Sequence, residues 1–227
     1  MKTMRPLAVI AIALAPACNT VLAQGTILAP ATTVASPTPA VAKAEAEKTW
    51  SLSASAYTYI VPDSREYVQP TLAADRGRLH LEARYNYESL DTASLWAGCN
   101  FSVGEKLALD VTPMVGVVMG DVYGLAPGYR VALRYGKLEL SSEGEYMFDT
   151  RDSSASFFYN WSELAISPVE WLRVGAALQR TKLYRSPFDV QRGFLVGLAY
   201  KRVDFTTYVF NPDASTPTAV LAVGLSF

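Results

Sequence analysis

Hydrophobic and polar residues alternate one by one along most of this chain. At 78–88, Leu79, Leu81, Ala83, Tyr85 and Tyr87 fall on one face. Arg78, His80, Glu82, Arg84, Asn86 and Glu88 fall on the other. The end repeats the pattern, with Leu221, Val223, Leu225 and Phe227 against Val220, Ala222, Gly224 and Ser226. Period-two alternation is that of a β-strand between two different environments. About twelve stretches of this kind follow one another from Trp50 onward, each near the length a tilted membrane-spanning strand needs. They begin near Trp50, Tyr67, Arg78, Ala93, Lys106, Tyr123, Lys137, Ala155, Glu170, Val190, Arg202 and Pro217.

The connections alternate in kind. Asp75-Arg76-Gly77, Gly104-Glu105, Tyr135-Gly136-Lys137, Ser167-Pro168-Val169 and Tyr200-Lys201-Arg202 are short. Between them lie longer polar links at 62–66, 88–92, 120–127, 149–154, 184–189 and 211–216. Tight turns on one rim and longer loops on the other predict an all-β, antiparallel, up-and-down transmembrane barrel of about 12 strands over residues 49–227. An even strand count places both ends of this segment on the tight-turn, periplasmic side. Closure satisfies every backbone polar group, so lipid can cover the apolar face. A secreted β-sandwich is the alternative, but it needs a helix or second sheet over that face. Pro70 and Pro113 fall inside strands and remove ladder donors, which predicts irregular pairing there.

Alternation, aromatic strand ends, tight turns and the final Phe227 together resemble the bacterial outer-membrane β-barrel class. The resemblance is to a porin-like class and not to one family within it. It implies that Phe227 belongs to the insertion signal read by the barrel-assembly machinery. It also implies a surrounding of outer-membrane lipid and lipopolysaccharide.

The N-terminus fits export. Lys2 and Arg5 precede a short apolar core from Leu7 to Leu14, and Val21-Leu22-Ala23 before Gln24 satisfies the small-residue rule. Residues 1–23 are therefore expected to be a signal peptide. Ala15-Pro16-Ala17-Cys18 leaves a lipoprotein signal as an alternative. Residues 24–48, rich in Ala, Pro and Thr, are expected to be a disordered periplasmic spacer.

Composition narrows the chemistry. Among 227 residues there are 13 Tyr and 4 Trp, enough for aromatic belts at two membrane interfaces. The net charge of −1 offers no basic excess for nucleic acid. Of the two Cys, Cys18 lies in the signal region, so no internal disulfide is expected. The single His80 excludes a two-His metal site within one chain, and no cofactor is implied.

With the apolar face outward, the inward face carries Glu82, Arg84, Asp110, Arg130, Arg134, Glu139, Glu143, Glu145, Glu163, Arg173, Gln179 and Asp204. Tyr159 and Trp161 share the parity of Glu163 and are placed inward with it, because charge on the lipid face is costly. These residues are expected to line a lumen that passes small hydrophilic solutes. Alternatively, Arg130 and Arg134 pair across strands with Glu139 and Glu143 and plug the interior of a structural or adhesion barrel. Mixed signs leave ion preference open. Tyr57, Tyr59, Tyr159 and Trp161 suit a sugar slide, but such residues more often belong to an interface belt or to wall packing. An enzyme is not expected. Barrel phospholipases and deacylases use Ser with His, and omptins place His at the outer rim. His80 lacks the near Ser and lies towards the periplasmic end, although Glu82 could orient its imidazole. Short loops lack the constriction loop of trimeric porins, which suggests a monomer.

Overall fold

The computed structural model describes residues 49–61, 65–183 and 189–227. The signal region, the spacer and parts of the 62–66 and 184–189 links lie outside the described residues. The strands are β1 (Ser51–Ile60), β2 (Tyr67–Arg76), β3 (Leu79–Tyr85), β4 (Ala93–Cys99), β5 (Phe101–Val103), β6 (Leu107–Met119) and β7 (Gly124–Tyr135). They continue as β8 (Leu138–Asp149), β9 (Phe157–Val169), β10 (Leu172–Leu183), β11 (Asp189–Tyr200), β12 (Val203–Phe210) and β13 (Thr218–Ser226). Each pairs antiparallel with its neighbours in chain order, and β13 returns to β1, closing the barrel.

β4 and β5 are two halves of one stave, so the barrel has 12 staves. Both halves pair with β6, from Gly98↔Met114 on one side of the break to Phe101↔Val111 on the other, with no residue gained or lost. The interruption lies opposite Pro113, which has no N–H to give. On its other side Pro113 pairs normally with Tyr129 of β7. Pro70 behaves alike. It pairs with Ala56 of β1, while the β2–β3 ladder stops at Thr71↔Arg84, one residue short of it.

The tight turns set the hairpin registers. Gly77 and Gly136 have φ of 58° and 59°, the left-handed conformation that two-residue hairpin turns require. One expected turn is displaced. Ser167, Pro168 and Val169 extend β9, and the reversal occurs at Glu170 and Trp171. The β9–β10 register shifts between Leu172 and Val174, so a bulge absorbs the proline.

Strand parity divides the wall. Outward positions carry exposed apolar side chains, among them Leu72, Leu95, Val115, Val117, Leu140, Leu164, Phe194 and Val196. Trp50, Phe101, Tyr135, Trp171, Tyr200 and Phe227 lie exposed around the tight-turn rim, and Tyr85, Tyr123 and Phe148 near the long-loop rim. Arg76 stands over Trp50, Arg78 over Phe101 and Lys201 over Tyr200. Aromatic rings topped by long cations suit a lipid–water interface, where the ring is apolar and the charge stays wet. Phe227 donates its amide to Leu52 O at 2.9 Å, which seats it beside the start of β1.

Candidate functional site

Inward side chains form two ionic networks. The hairpin about Gly136 places Arg134 directly across from Glu139 and Arg130 across from Glu143. Arg134 also pairs with Asp110 on β6. Arg173 on β10 bridges Glu139 at 3.2 Å and Glu163 at 2.6 Å. The second oxygen of Glu163 accepts from Trp161 Nε1 at 2.7 Å and Tyr208 Oη at 2.8 Å. A ladder of alternating charge thus runs around the wall from β6 to β10, and Glu163 ties it to Tyr208 on β12.

A second cluster descends β3, where His80, Glu82 and Arg84 follow one another on the inward face. His80 Nδ1 meets Asp75 at 2.7 Å, and Nε2 meets Glu82 at 2.9 Å. Arg84 donates to Glu82 at 2.7 Å and to Glu145 at 3.1 Å. Its guanidinium lies 4.3 Å from the Tyr87 ring centroid and 4.4 Å from that of Trp96. Arg130 extends this cluster, reaching across the interior to Glu82 on β3 while lying 3.4 Å from Glu143. Glu82 and Arg84 are buried, so each charge depends on its partners for the solvation that water would give.

Tyr87 was expected on the outward face and is instead turned in. β3 ends at Tyr85, and Asn86 takes a left-handed turn at φ 57°. The period-two rule therefore lapses before residue 87. The Tyr87 hydroxyl donates to Glu143 at 2.6 Å.

A cavity of about 160 Å³ occupies the tight-turn half of the interior. Asp110, Arg130, Arg134, Glu139, Glu143, Glu163, Arg173 and Asp204 line it on one side. Ser53, Ser55, Thr71, Ala73 and Asp75 line the other, and Gly224 lies directly across from Asp204 where the two sides meet. Glu82 and Arg84 are packed behind this wall. Gln179 lies past its end, across from Trp161 and Gln191. Asp75 and Glu145 complete the second network. Asp75 is hidden in the sequence by its place beside a turn, although it shares the parity of Thr71 and Ala73.

Tyr57, Trp161 and Tyr208 roof the cavity towards the loops. Trp161 meets Tyr208 edge-on with centroids 5.0 Å apart and Phe210 at 5.1 Å. Above this roof, Tyr59, Leu195, Phe210 and Val220 pack from one side, and Trp96, Val118, Met147 and Phe157 from the other. Tyr159 touches both groups. The loop-side half of the interior is therefore packed shut by aromatic and aliphatic side chains.

His80 has little scope as a catalytic base, because carboxylates occupy both its nitrogens. Among the described residues no group of three or more His, Cys, Asp or Glu is arranged to hold a metal.

No protein-family model and no curated protein matches the sequence. Solved structures do match the fold. The KdgM porin superposes with a TM-score of 0.53 at 11% identity, covering 77% of this chain and 99% of that one. The KdgM porin in complex with disordered oligogalacturonate gives 0.54 at 11% identity, covering 78% and 99%. The outer membrane protein Omp33 of Acinetobacter baumannii gives 0.46 at 11% identity, covering 78% and 98%. The chain has the fold of an outer-membrane porin-like β-barrel.

Proposed function

We propose that this protein is an outer-membrane channel of the porin type, passing small hydrophilic solutes and closed in the present conformation by the aromatic roof. One observation carries the reading. The side chains of Arg134, Glu139 and Glu143 remain 35%, 24% and 29% exposed inside the barrel. A scaffold interior packs to the density of an organic crystal. This one keeps a charged cavity of about 160 Å³ where a permeant solute would pass. The porin fold and the apolar outer wall support an outer-membrane location. Residues 1–23 then serve export, and Phe227 serves insertion by the barrel-assembly machinery. The barrel works as a monomer in lipid and lipopolysaccharide, with no enzymatic step.

The packed layer of Trp161, Tyr208, Phe210 and Tyr159 favours a second reading, a permanently sealed scaffold that presents its loops. Liposome swelling separates the two. Vesicles carrying the refolded protein should swell in small polyols and monosaccharides and lag with larger saccharides. Swelling equal to that of protein-free vesicles for every solute would retire the channel.

A further inference from the structure

We infer that the cavity selects cationic solutes, with small organic amines as the class of ligand it takes. This rests on reading the cavity as the solute compartment. Among the described residues lining it, the carboxylates of Asp75, Asp110, Glu139, Glu143, Glu163 and Asp204 face only the guanidiniums of Arg130, Arg134 and Arg173 and the imidazole of His80. The excess is negative even with His80 counted as a cation. Charge lining a narrow passage sets which ions enter it, and low-dielectric walls focus that field.

The arrangement of the pairs sharpens the argument. Each guanidinium is spanned by two carboxylates. Arg134 lies between Asp110 and Glu139, Arg173 between Glu139 and Glu163, and Arg130 between Glu82 and Glu143. The charge of each guanidinium is thus offset by two carboxylates, although Arg130 Nε makes no hydrogen bond. A carboxylate has about four acceptor sites, and these pairs leave some of them open. An entering anion would meet arginines whose charge is already offset and the repulsion of the surplus carboxylates, whereas an ammonium group can add to the oxygens already there. The roof supplies the other half of such a site. The rings of Tyr57, Trp161 and Tyr208 close the cavity, and aromatic faces attract cations. On the opposite wall Ser53, Ser55 and Thr71 add hydroxyl acceptors, and Asp75 continues the row of Thr71 and Ala73.

The test uses the full chain refolded in detergent at low salt. Titration calorimetry compares putrescine, a dication, with succinate, a dianion of similar length. Putrescine should bind about tenfold or more tightly, a difference of about 1.4 kcal/mol or more. Ser55→Lys places a positive charge at a neutral position of the lining, outside the ion pairs described above. It should weaken putrescine binding and strengthen succinate binding, and Ser55→Asp should do the reverse. Equal binding of the two, preference for succinate, or no binding of either would overturn the inference. Reversal potentials in a salt gradient then separate this claim from the channel itself. A silent bilayer with putrescine still bound retires the channel and leaves the cation site. Current carried mainly by anions retires the cation preference and leaves the channel.

Discussion

The indole of Trp96 occupies the space that a side chain on Gly116 would fill. A Cβ built at Gly116 would lie 2.4 Å from Trp96 Cε2. The indole is anchored there by Nε1 donating to Ser94 Oγ at 2.9 Å and to Glu88 at 3.2 Å. Its face meets Arg84. Gly116→Ala must therefore push the ring away from fixed partners, at a cost of about 1–3 kcal/mol. Gly136→Ala is the control. Nothing lies within 4 Å of its Cβ position, so its cost comes only from the left-handed φ of 59°. Urea unfolding in detergent, followed by tryptophan fluorescence, should show a lowered midpoint for both variants but an altered native spectrum for Gly116→Ala alone. A native spectrum and midpoint matching the parent would contradict the account.

Glu82 is the acid on which His80, Arg84 and Arg130 converge. Glu82→Gln keeps the shape and removes the charge, leaving two guanidiniums short of a partner in the interior. Breaking a buried ion pair from one side costs about 3–5 kcal/mol. Arg130→Met in the same chain should recover part of that loss, since it withdraws one of the stranded cations. Unfolding free energies of the two single variants and the double variant measure the coupling. Simple additivity would show that the bridge across the interior contributes nothing.

Pro113 accounts for the gap between β4 and β5. Pro113→Val restores an amide opposite the break, worth about 1 kcal/mol if it bonds. Hydrogen exchange at Cys99 and Phe101 should slow as the ladder closes, while Asn100, already bonded to Arg78 O, serves as the internal reference. Exchange unchanged from the parent would mean that the break has another cause.

Much of the wall was legible because a barrel between lipid and a polar interior enforces period two at every strand. The strand starts fall within two residues of their expected places, and the turn at Gly136 sets Arg134 against Glu139 in the sequence itself. What failed to show were contacts made outside the ladder. Nothing local reveals that Arg130 reaches Glu82 across the interior, since β3 and β7 are not neighbours. Tyr87 was misplaced because residues 86–92 close on themselves, with Asn86 N donating to Thr92 O at 2.8 Å. That turn ends the alternation one residue early. The displaced reversal after β9 has a similar origin, since a bulge lets a proline remain in a strand. The aromatic roof was the largest gap. Tyr57, Tyr59, Tyr159 and Trp161 have compositions that suit a membrane belt, and only their inward parity marks them as filling.

Single-channel recording of the parent and of Trp161→Ala in the same planar bilayer bears most directly on the closed channel. Removing the indole deletes the centre of the roof while Glu163 keeps Arg173 and Tyr208. Tyr208→Phe serves as the control, since it loses one hydrogen bond and leaves the ring in place. The parent and Tyr208→Phe should show brief, rare openings, and Trp161→Ala long openings of larger unit conductance. Silence from all three, with insertion verified by heat-modifiable migration, would contradict the channel and leave the sealed barrel.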